Sequence, residues 1–314
     1  LNTQTSDKRN EFTLIFLRRR AMNVMTKALG ATVFLCLLGL LSGPAADANG
    51  ATRTDDIVGW WQMGEGATES GGTWTVPDSS VNNNAATGTP ATASGITLVP
   101  GAIGGAAGTA MSFDGAVGSA LGVLGTTELA NIGAGSFSVS LWTKADQANL
   151  IAGGDWHRVV TKEDLGAGVR WTVENEYNYG GSNKLAWFTT GAGYPYTDLP
   201  DFDANEWRHL VFVRDTSTEQ LLAYDNGANI STHGGPGAGV SVANGADLGI
   251  AGRPDGEAAL HAILDDVRIY DVALSSADVS AIYNGGAGDV IPEPGTIVML
   301  LVGLTMCGWR RCRA

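Results

Sequence analysis

The central part of this chain has no cysteine. All three cysteines, Cys36, Cys307 and Cys312, lie in apolar segments near the two ends. The stretch between them therefore holds no disulfide framework, no thiolate zinc site and no cysteine nucleophile. Basic residues are also scarce there. Of the 19 Lys and Arg, 10 fall between Asn49 and Ile291, against 28 of the 32 Asp and Glu, so that stretch carries a formal charge of −18. Such a balance argues against nucleic acid or an anionic membrane as a partner and is compatible with divalent cations or with plain solubility. No Gly-x-Ser-x-Gly elbow occurs, and the four histidines, His157, His209, His233 and His261, are scattered. Nothing in this pattern indicates a Ser-His-Asp hydrolase. Nor is there an internal repeat or a sign of a second domain.

What the sequence does contain is a series of short alternating segments bounded by Gly, Asn, Asp or Pro. Phe137, Val139 and Leu141 alternate with Ser138, Ser140 and Trp142, which reads as a strand with one buried face. Residues 207–213 are apolar on both faces over their later half, as expected of a central strand covered by another sheet. Asp225-Asn226-Gly227 supplies the positive-φ residues of a tight hairpin. Segments 85–108 and 234–244, rich in Gly and small residues, read as long loops. Near the end, Val267 and Ile269 alternate with Asp266, Arg268 and Tyr270, and then the period changes. Ser275 and Asp278 form a capping box, Val279, Ile282 and Tyr283 an apolar stripe, and Gly285 a helix stop. The fold class that follows is all-β, a two-sheet antiparallel sandwich with one short C-terminal helix.

Seven further segments, in order, join LDDVRIYDVALSSADVSAIYNGG at Leu264: VGWWQMGEG at Val58, VPDSSVNNNAATG at Val76, AMSFDG at Ala110, SFSVSLWTK at Ser136, VVTKED at Val159, EWRHLVFVRD at Glu206 and LLAYDNG at Leu221. Together they resemble LamG-like jelly-roll domains of the concanavalin A-like lectin and glucanase superfamily, over roughly Asp55 to Gly288. The resemblance implies a fold more than a function, because such folds host many unrelated activities.

The two ends read as targeting segments. Leu1 to Arg20 leads into no domain, and the expected start is Met22 or Met25. Arg18, Arg19, Arg20 and Lys27 precede an apolar run from Ala28 to Leu41, then Pro44 and Ala46-Asp47-Ala48, the pattern of a signal peptide cut after Ala48. The run is shorter than the ~20 residues that a spanning helix needs. At the other end Pro292, Glu293 and Pro294 precede an apolar segment and then Arg310, Arg311 and Arg313. This order resembles the PEP-CTERM sorting signal, which implies an exosortase-type enzyme and the export machinery as partners. It also implies a transient inner-membrane anchor, then the cell surface or extracellular matrix of a Gram-negative-type bacterium; an ordinary C-terminal anchor is the alternative. The expected division is thus 1–48, start region and signal peptide; 49–288, jelly-roll domain; and 289–314, sorting segment.

Three chemistries have candidates in the domain. Asp78, Asp114 and Asp265 are carboxylates beside turns or strand ends where oxygen ligands for Ca2+ could converge, and turn bracing is the competing role. Asp265 and Asp266, as strand neighbours, are expected on opposite faces. Glu174 and Glu176 in WTVENEY share a strand face and are the nearest approach to a glycosidase carboxylate pair. The superfamily's glucanases carry a central Asp where Asn175 stands, and no third carboxylate follows, so a non-catalytic module is expected. For sugar binding, Tyr177, Tyr179, Tyr194 and Tyr196 supply stacking faces, and Asn183 and Asp198 supply polar specifiers. Trp171, Trp187, Phe188 and His209 are expected to be packed structural residues. The functional expectation is an exported, non-catalytic module for a glycan or envelope component. Its alternatives are a structural or adhesive protein that binds other proteins and, behind that, a glycoside hydrolase.

Overall fold

A computed structural model describes residues 53–88, 95–102, 108–145, 157–176, 184–190, 196–197 and 206–285. The chain divides into Leu1–Ala48 and Asn49–Ala314, and all the described residues belong to the second unit. The signal-peptide region, the sorting residues Pro292, Glu293, Pro294, Arg310, Arg311 and Arg313, and the loop residues Tyr177, Tyr179, Asn183, Tyr194 and Asp198 lie outside the described residues.

Seventeen strands follow in chain order among the described residues. They are β1 (Ile57–Trp61), β2 (Thr68–Ser70), β3 (Thr73–Val76), β4 (Ala86–Gly88), β5 (Ile96–Pro100), β6 (Thr109–Asp114), β7 (Leu121–Val123), β8 (Phe137–Lys144), β9 (His157–Asp164), β10 (Val169–Glu176), β11 (Lys184–Thr189), β12 (Tyr196–Thr197), β13 (Arg208–Asp215), β14 (Gln220–Asp225), β15 (Ala228–Gly234), β16 (Leu248–Ile250) and β17 (His261–Tyr270). Helix α1 (Thr127–Asn131) sits between β7 and β8, and helix α2 (Ser276–Gly285) follows β17. The segment expected as one long loop over 85–108 thus contains β4 and β5.

The strands form two antiparallel sheets. One runs β15-β14-β13-β8-β17-β6-β5, with β1 also paired to β17; the other runs β12-β11-β10-β9-β16-β7-β4-β3-β2. Between them lies a core built from Met111, Phe113, Phe137, Val139, Leu141, Trp171, Trp187, Leu210, Phe212, Leu264 and Ile269, among others. The period-2 pattern of β8 places its apolar side chains inward, as the alternation requires. The β14–β15 turn has Asn226 at φ 49° and Gly227 at φ 82°, the geometry that the Asn-Gly pair favours.

β13 is buried on both faces, but the two covers differ. Leu210 and Phe212 face the other sheet, whereas Val211 and Val213 pack with Tyr224, Tyr270, Leu274, Val279 and Ile282 in a second cluster beneath α2. The doubly apolar strand is therefore a sheet–helix sandwich filling, not one buried between sheets on both sides. α2 begins at the expected capping box. The Ser275 hydroxyl accepts from Asp278 N at 3.2 Å, while Asp278 Oδ2 accepts from Ser275 N at 2.8 Å and from its hydroxyl at 2.6 Å.

β17 carries a bulge at Asp265–Asp266, where its register with β8 shifts and Asp266 adopts φ 50°. On its other edge β17 pairs β6 through Leu264 and β1 from Val267 onward. The bulge falls at the change of neighbour. It returns Val267 and Ile269 to the core side on which Ala262 and Leu264 already lie, and the two aspartates do not simply alternate, contrary to the expectation from strand period. Both are buried. Asp265 Oδ2 accepts from Ala102 N at 2.8 Å, and Asp266 Oδ1 accepts from Trp60 Nε1 at 2.6 Å and from Arg268 Nε at 3.0 Å.

Candidate functional site

The outer face of the nine-stranded sheet is where polar chemistry gathers. Trp171 and Val173 of β10, Trp187 of β11 and Leu248 and Ile250 of β16 point into the core. Arg170, Thr172, Glu174, Phe188 and Gly249 therefore point out. Pairing sets these outward residues in rows across the strands. Arg158 lies opposite Glu174, Thr161 opposite Thr172, and Glu163 opposite Arg170; Thr172 in turn lies opposite Phe188 and Thr161 opposite Gly249. Toward β7 this face is occupied by the chain itself. A Cβ at Gly249 would stand 2.1 Å from the Gly252 carbonyl oxygen, so the 252–254 loop lies directly on the β16 backbone. Toward β10 and β11 Arg158, Thr161, Thr172, Glu174 and Phe188 are buried as well, and Arg170 is the partly exposed group.

On that part of the face the charges interlock. Arg158 Nε donates to Glu163 Oε1 at 2.5 Å, and Arg158 Nη1 meets Glu174 Oε2 at 2.6 Å. The Thr161 hydroxyl also donates to Glu163 Oε1, at 2.7 Å. Burial alone would push the Glu163 carboxyl up, but Arg158, through its hydrogen bond and its charge, together with the Thr161 hydroxyl and the Arg170 charge, holds it below the usual carboxylate range. Arg170 Nη1 stands 3.6 Å from Glu163 Oε2, and the Arg170 guanidinium lies 4.5 Å above the Phe188 ring centre. Phe188 is thus buried beneath an arginine on the outer side of its strand, whereas Trp171 and Trp187 lie in the cluster between the sheets.

The remaining candidates fall elsewhere. Glu174 is fully enclosed and ion-paired with Arg158, and nothing is described of the Glu176 side chain. The β12 backbone at Tyr196 pairs with Ala186. Asp78 is a loop brace. Its Oδ1 accepts from Trp60 N and Ser80 N, and its Oδ2 from the Ser80 hydroxyl and Asn84 N, all at 2.8 Å. Asp114 is exposed at the end of β6, opposite His261, and accepts from Ala116 N at 2.9 Å. Asp265 lies four residues beyond His261 on β17, in the bulge. The three aspartates are not brought together, and among the described residues no three His, Cys, Asp or Glu are grouped so as to hold a metal ion.

His209 is buried, as expected of a packed residue. Its Nε2 lies 2.9 Å from the Ser140 hydroxyl, and Trp142 and Tyr283 lie against its ring. Burial, helped by the Arg268 charge, pushes its pKa down to about 3. Sequence reasoning passed over Arg158, Glu163 and Arg170. A signal was present: the Gly-Ala-Gly turn at 166–168 makes 157–176 a hairpin, and counting outward from it sets Glu163 against Arg170.

A two-sheet antiparallel sandwich with a polar outer face and a short closing helix defines a lectin-like β-sandwich. Residues 122–280, half of the chain, match the family model described as the concanavalin A-like lectin/glucanases superfamily, Laminin_G_3, and the chain belongs to that family. Among solved structures it is similar to the binding domain of Paraclostridial Mosquitocidal Protein 1, with 17% identity over 74% of this chain and 52% of that one, at a TM-score of 0.55. It is also similar to Trypanosoma rangeli sialidase in complex with 2,3-difluorosialic acid, with 13% identity, 75% and 34% coverage and a TM-score of 0.54. A third is the ligand binding domain of Botulinum neurotoxin serotype D in complex with N-acetylneuraminic acid, with 14% identity, 76% and 53% coverage and a TM-score of 0.50. The chain spans between a third and about half of these chains, and the likeness is one of fold. No curated protein matches it by sequence.

Proposed function

We propose that the protein is an exported, envelope-sorted, non-catalytic module that binds carbohydrate on the outer face of β9, β10 and β11. The observation that carries this reading is the charged outer face itself. Paired guanidinium and carboxylate groups, held over a threonine floor, present fixed donors and acceptors at their rim, which is how a protein reads hydroxyl-rich ligands. The lectin-like neighbours support the choice of ligand class. Tyr177, Tyr179, Asn183, Tyr194, Tyr196 and Asp198 belong to the chain that links or extends these strands and are proposed as further contacts. The non-catalytic part of the proposal is supported by Glu174, whose enclosure and pairing with Arg158 suit a structural carboxylate better than an acid or nucleophile. Export and sorting are proposed from the end-segment motifs.

A second reading, protein adhesion, is favoured by one observation. Leu124 is 75% exposed and Leu165 57%. They directly follow β7 and β9, the strands on either side of β16 at the same sheet end, so exposed apolar surface collects there. The test is a glycan array on the purified full chain, run with calcium and with a chelator. Binding to one glycan class supports the module. Silence from a folded sample removes the carbohydrate reading and leaves adhesion, and a response that vanishes with chelator restores a role for calcium.

A further inference from the structure

Among the described residues the charged face leaves two groups without a hydrogen bond, and they are neighbours. Glu163 Oε1 is saturated by Arg158 and Thr161, but among the described residues Glu163 Oε2, at the end of a side chain only 4% exposed, accepts no hydrogen bond, and Arg170 Nη1 stands 3.6 Å from it, beyond bonding distance. Among the described residues Arg170 makes no side-chain hydrogen bond either. Its side chain is a quarter exposed, and with its Cζ 4.5 Å from the Phe188 ring centre its N–H groups have no hydrogen-bond acceptor among the described residues. A pure acceptor and a pure donor are thus held side by side, just too far apart to satisfy each other.

We propose that Glu163 Oε2 and Arg170 Nη1 together read two adjacent hydroxyls of an uncharged sugar. The inference rests on the carbohydrate reading above and deepens it. Each sugar hydroxyl is both donor and acceptor. One of two neighbouring hydroxyls gives its hydrogen to Glu163 Oε2, and the other accepts from Arg170 Nη1, so both protein groups are satisfied at once. An isolated hydroxyl satisfies only one of them.

Charge selects the uncharged class. Two guanidinium groups, Arg158 and Arg170, balance two carboxylates, Glu163 and Glu174, within the same face. A ligand carboxylate or sulfate at Arg170 adds a negative charge beside Glu163, with no further cation among the described side chains of this face to answer it. A ligand amine meets Arg170. The charge of −18 between Asn49 and Ile291 adds a diffuse repulsion against polyuronates that salt screens.

The experiment measures binding of the purified full chain to dextran, mannan and galactan as uncharged polymers and to alginate as a polyuronate, at low and high salt. Each uncharged polymer is also presented after periodate treatment, which cleaves between adjacent hydroxyls. The expected result is binding to an uncharged polymer with little salt dependence, abolished by periodate. Arg170→Ala is expected to weaken it about tenfold, the loss of one charge-assisted hydrogen bond. Arg170→Lys, which keeps the charge but not the planar fork, is expected to fail similarly, with the melting temperature of both variants unchanged. Glu163→Gln serves as the acceptor-side variant, read alongside its own melting curve.

Binding to an uncharged polymer that survives periodate or Arg170→Ala overturns this inference and leaves the carbohydrate reading standing. Preference for alginate with steep salt dependence also overturns it. No binding to any polymer overturns the carbohydrate reading and this inference with it.

Discussion

The outer faces of the two sheets carry the same kinds of residue and use them differently. Outside the eight-stranded sheet, Asp266, Arg268, His209 and Ser140 are enclosed, and α2 seals the apolar cluster beside them. Arg268 lies over the Trp60 ring while that indole's Nε1 donates to Asp266. Outside the nine-stranded sheet, Arg170 likewise lies over Phe188, but no helix covers it among the described residues, and its donors are unspent. An arginine on an aromatic ring is a fastener when its edge is occupied and a recognition element when its edge is free. The first face should therefore answer to mutation through stability, and the second through binding.

The largest effect is expected at Arg268. Arg268→Ala leaves the Asp266 carboxyl enclosed without its cation, at a site where burial already pushes its pKa up. Breaking a buried pair in this way costs about 3–5 kcal/mol. Urea unfolding followed by tryptophan fluorescence should show it as a lower midpoint; a change within experimental scatter would mean that the Asp266–Arg268 pair is not a fastener.

Acid separates the two faces by pH. His209 has a folded pKa of about 3 against an ordinary value of 6.5, so below pH 6.5 the unfolded chain binds the proton and the folded chain does not. Stability is full above that value and falls with decreasing pH, by about 1.4 kcal/mol per pH unit at most for one proton. Glu163 is shifted down from 4.5, so its contribution is intact above pH 4.5 and is lost only below. Loss between pH 6.5 and 4.5 thus reports the helix-covered face. His209→Gln should flatten that window in a pH series of melting temperatures and leave the steeper acid limb below it.

The helix-covered face was also the more legible in the sequence. The Ser275–Asp278 box, the stripe through Val279 and Ile282 and the alternation of Val267 with Arg268 are local patterns, and local patterns survive translation into structure. What escaped was non-local. The bulge at Asp265–Asp266 arises because β17 changes neighbour from β6 to β1, an event set by strands distant in sequence. The charged face of β9 and β10 was hidden for a related reason. VVTKED and VRWTVE look like ordinary solvated strands until the register sets Arg158 beside Glu174 and Glu163 beside Arg170. Phe188 next to Trp187 reads as more core, and only its pairing with Thr172 shows that it faces out.

A smaller effect is expected at the helix start. Ser275→Ala removes the two hydroxyl bonds of the cap and leaves the bond from Ser275 N to Asp278; it should cost about 1 kcal/mol, read as a lower melting temperature with glycan binding untouched. A binding loss at this position would mean that the two faces are coupled through the core.

The smallest stability change belongs to Arg170, and it is the one that tests the contrast most sharply. Its guanidinium is partly solvated, its one ion contact is long, and its removal leaves no group newly buried without a partner, because Glu163 keeps Arg158 and Thr161. Arg170→Ala should therefore alter stability by no more than about 0.5 kcal/mol, the usual range for surface substitutions. Arg158→Ala, two rows away on the same face, strips both Glu163 and Glu174 of an ion-pair partner and should instead behave like Arg268→Ala. If Arg170→Ala unfolds the protein as readily as Arg158→Ala does, the rim of this face is structural, and the distinction between an occupied and a free guanidinium edge does not hold here.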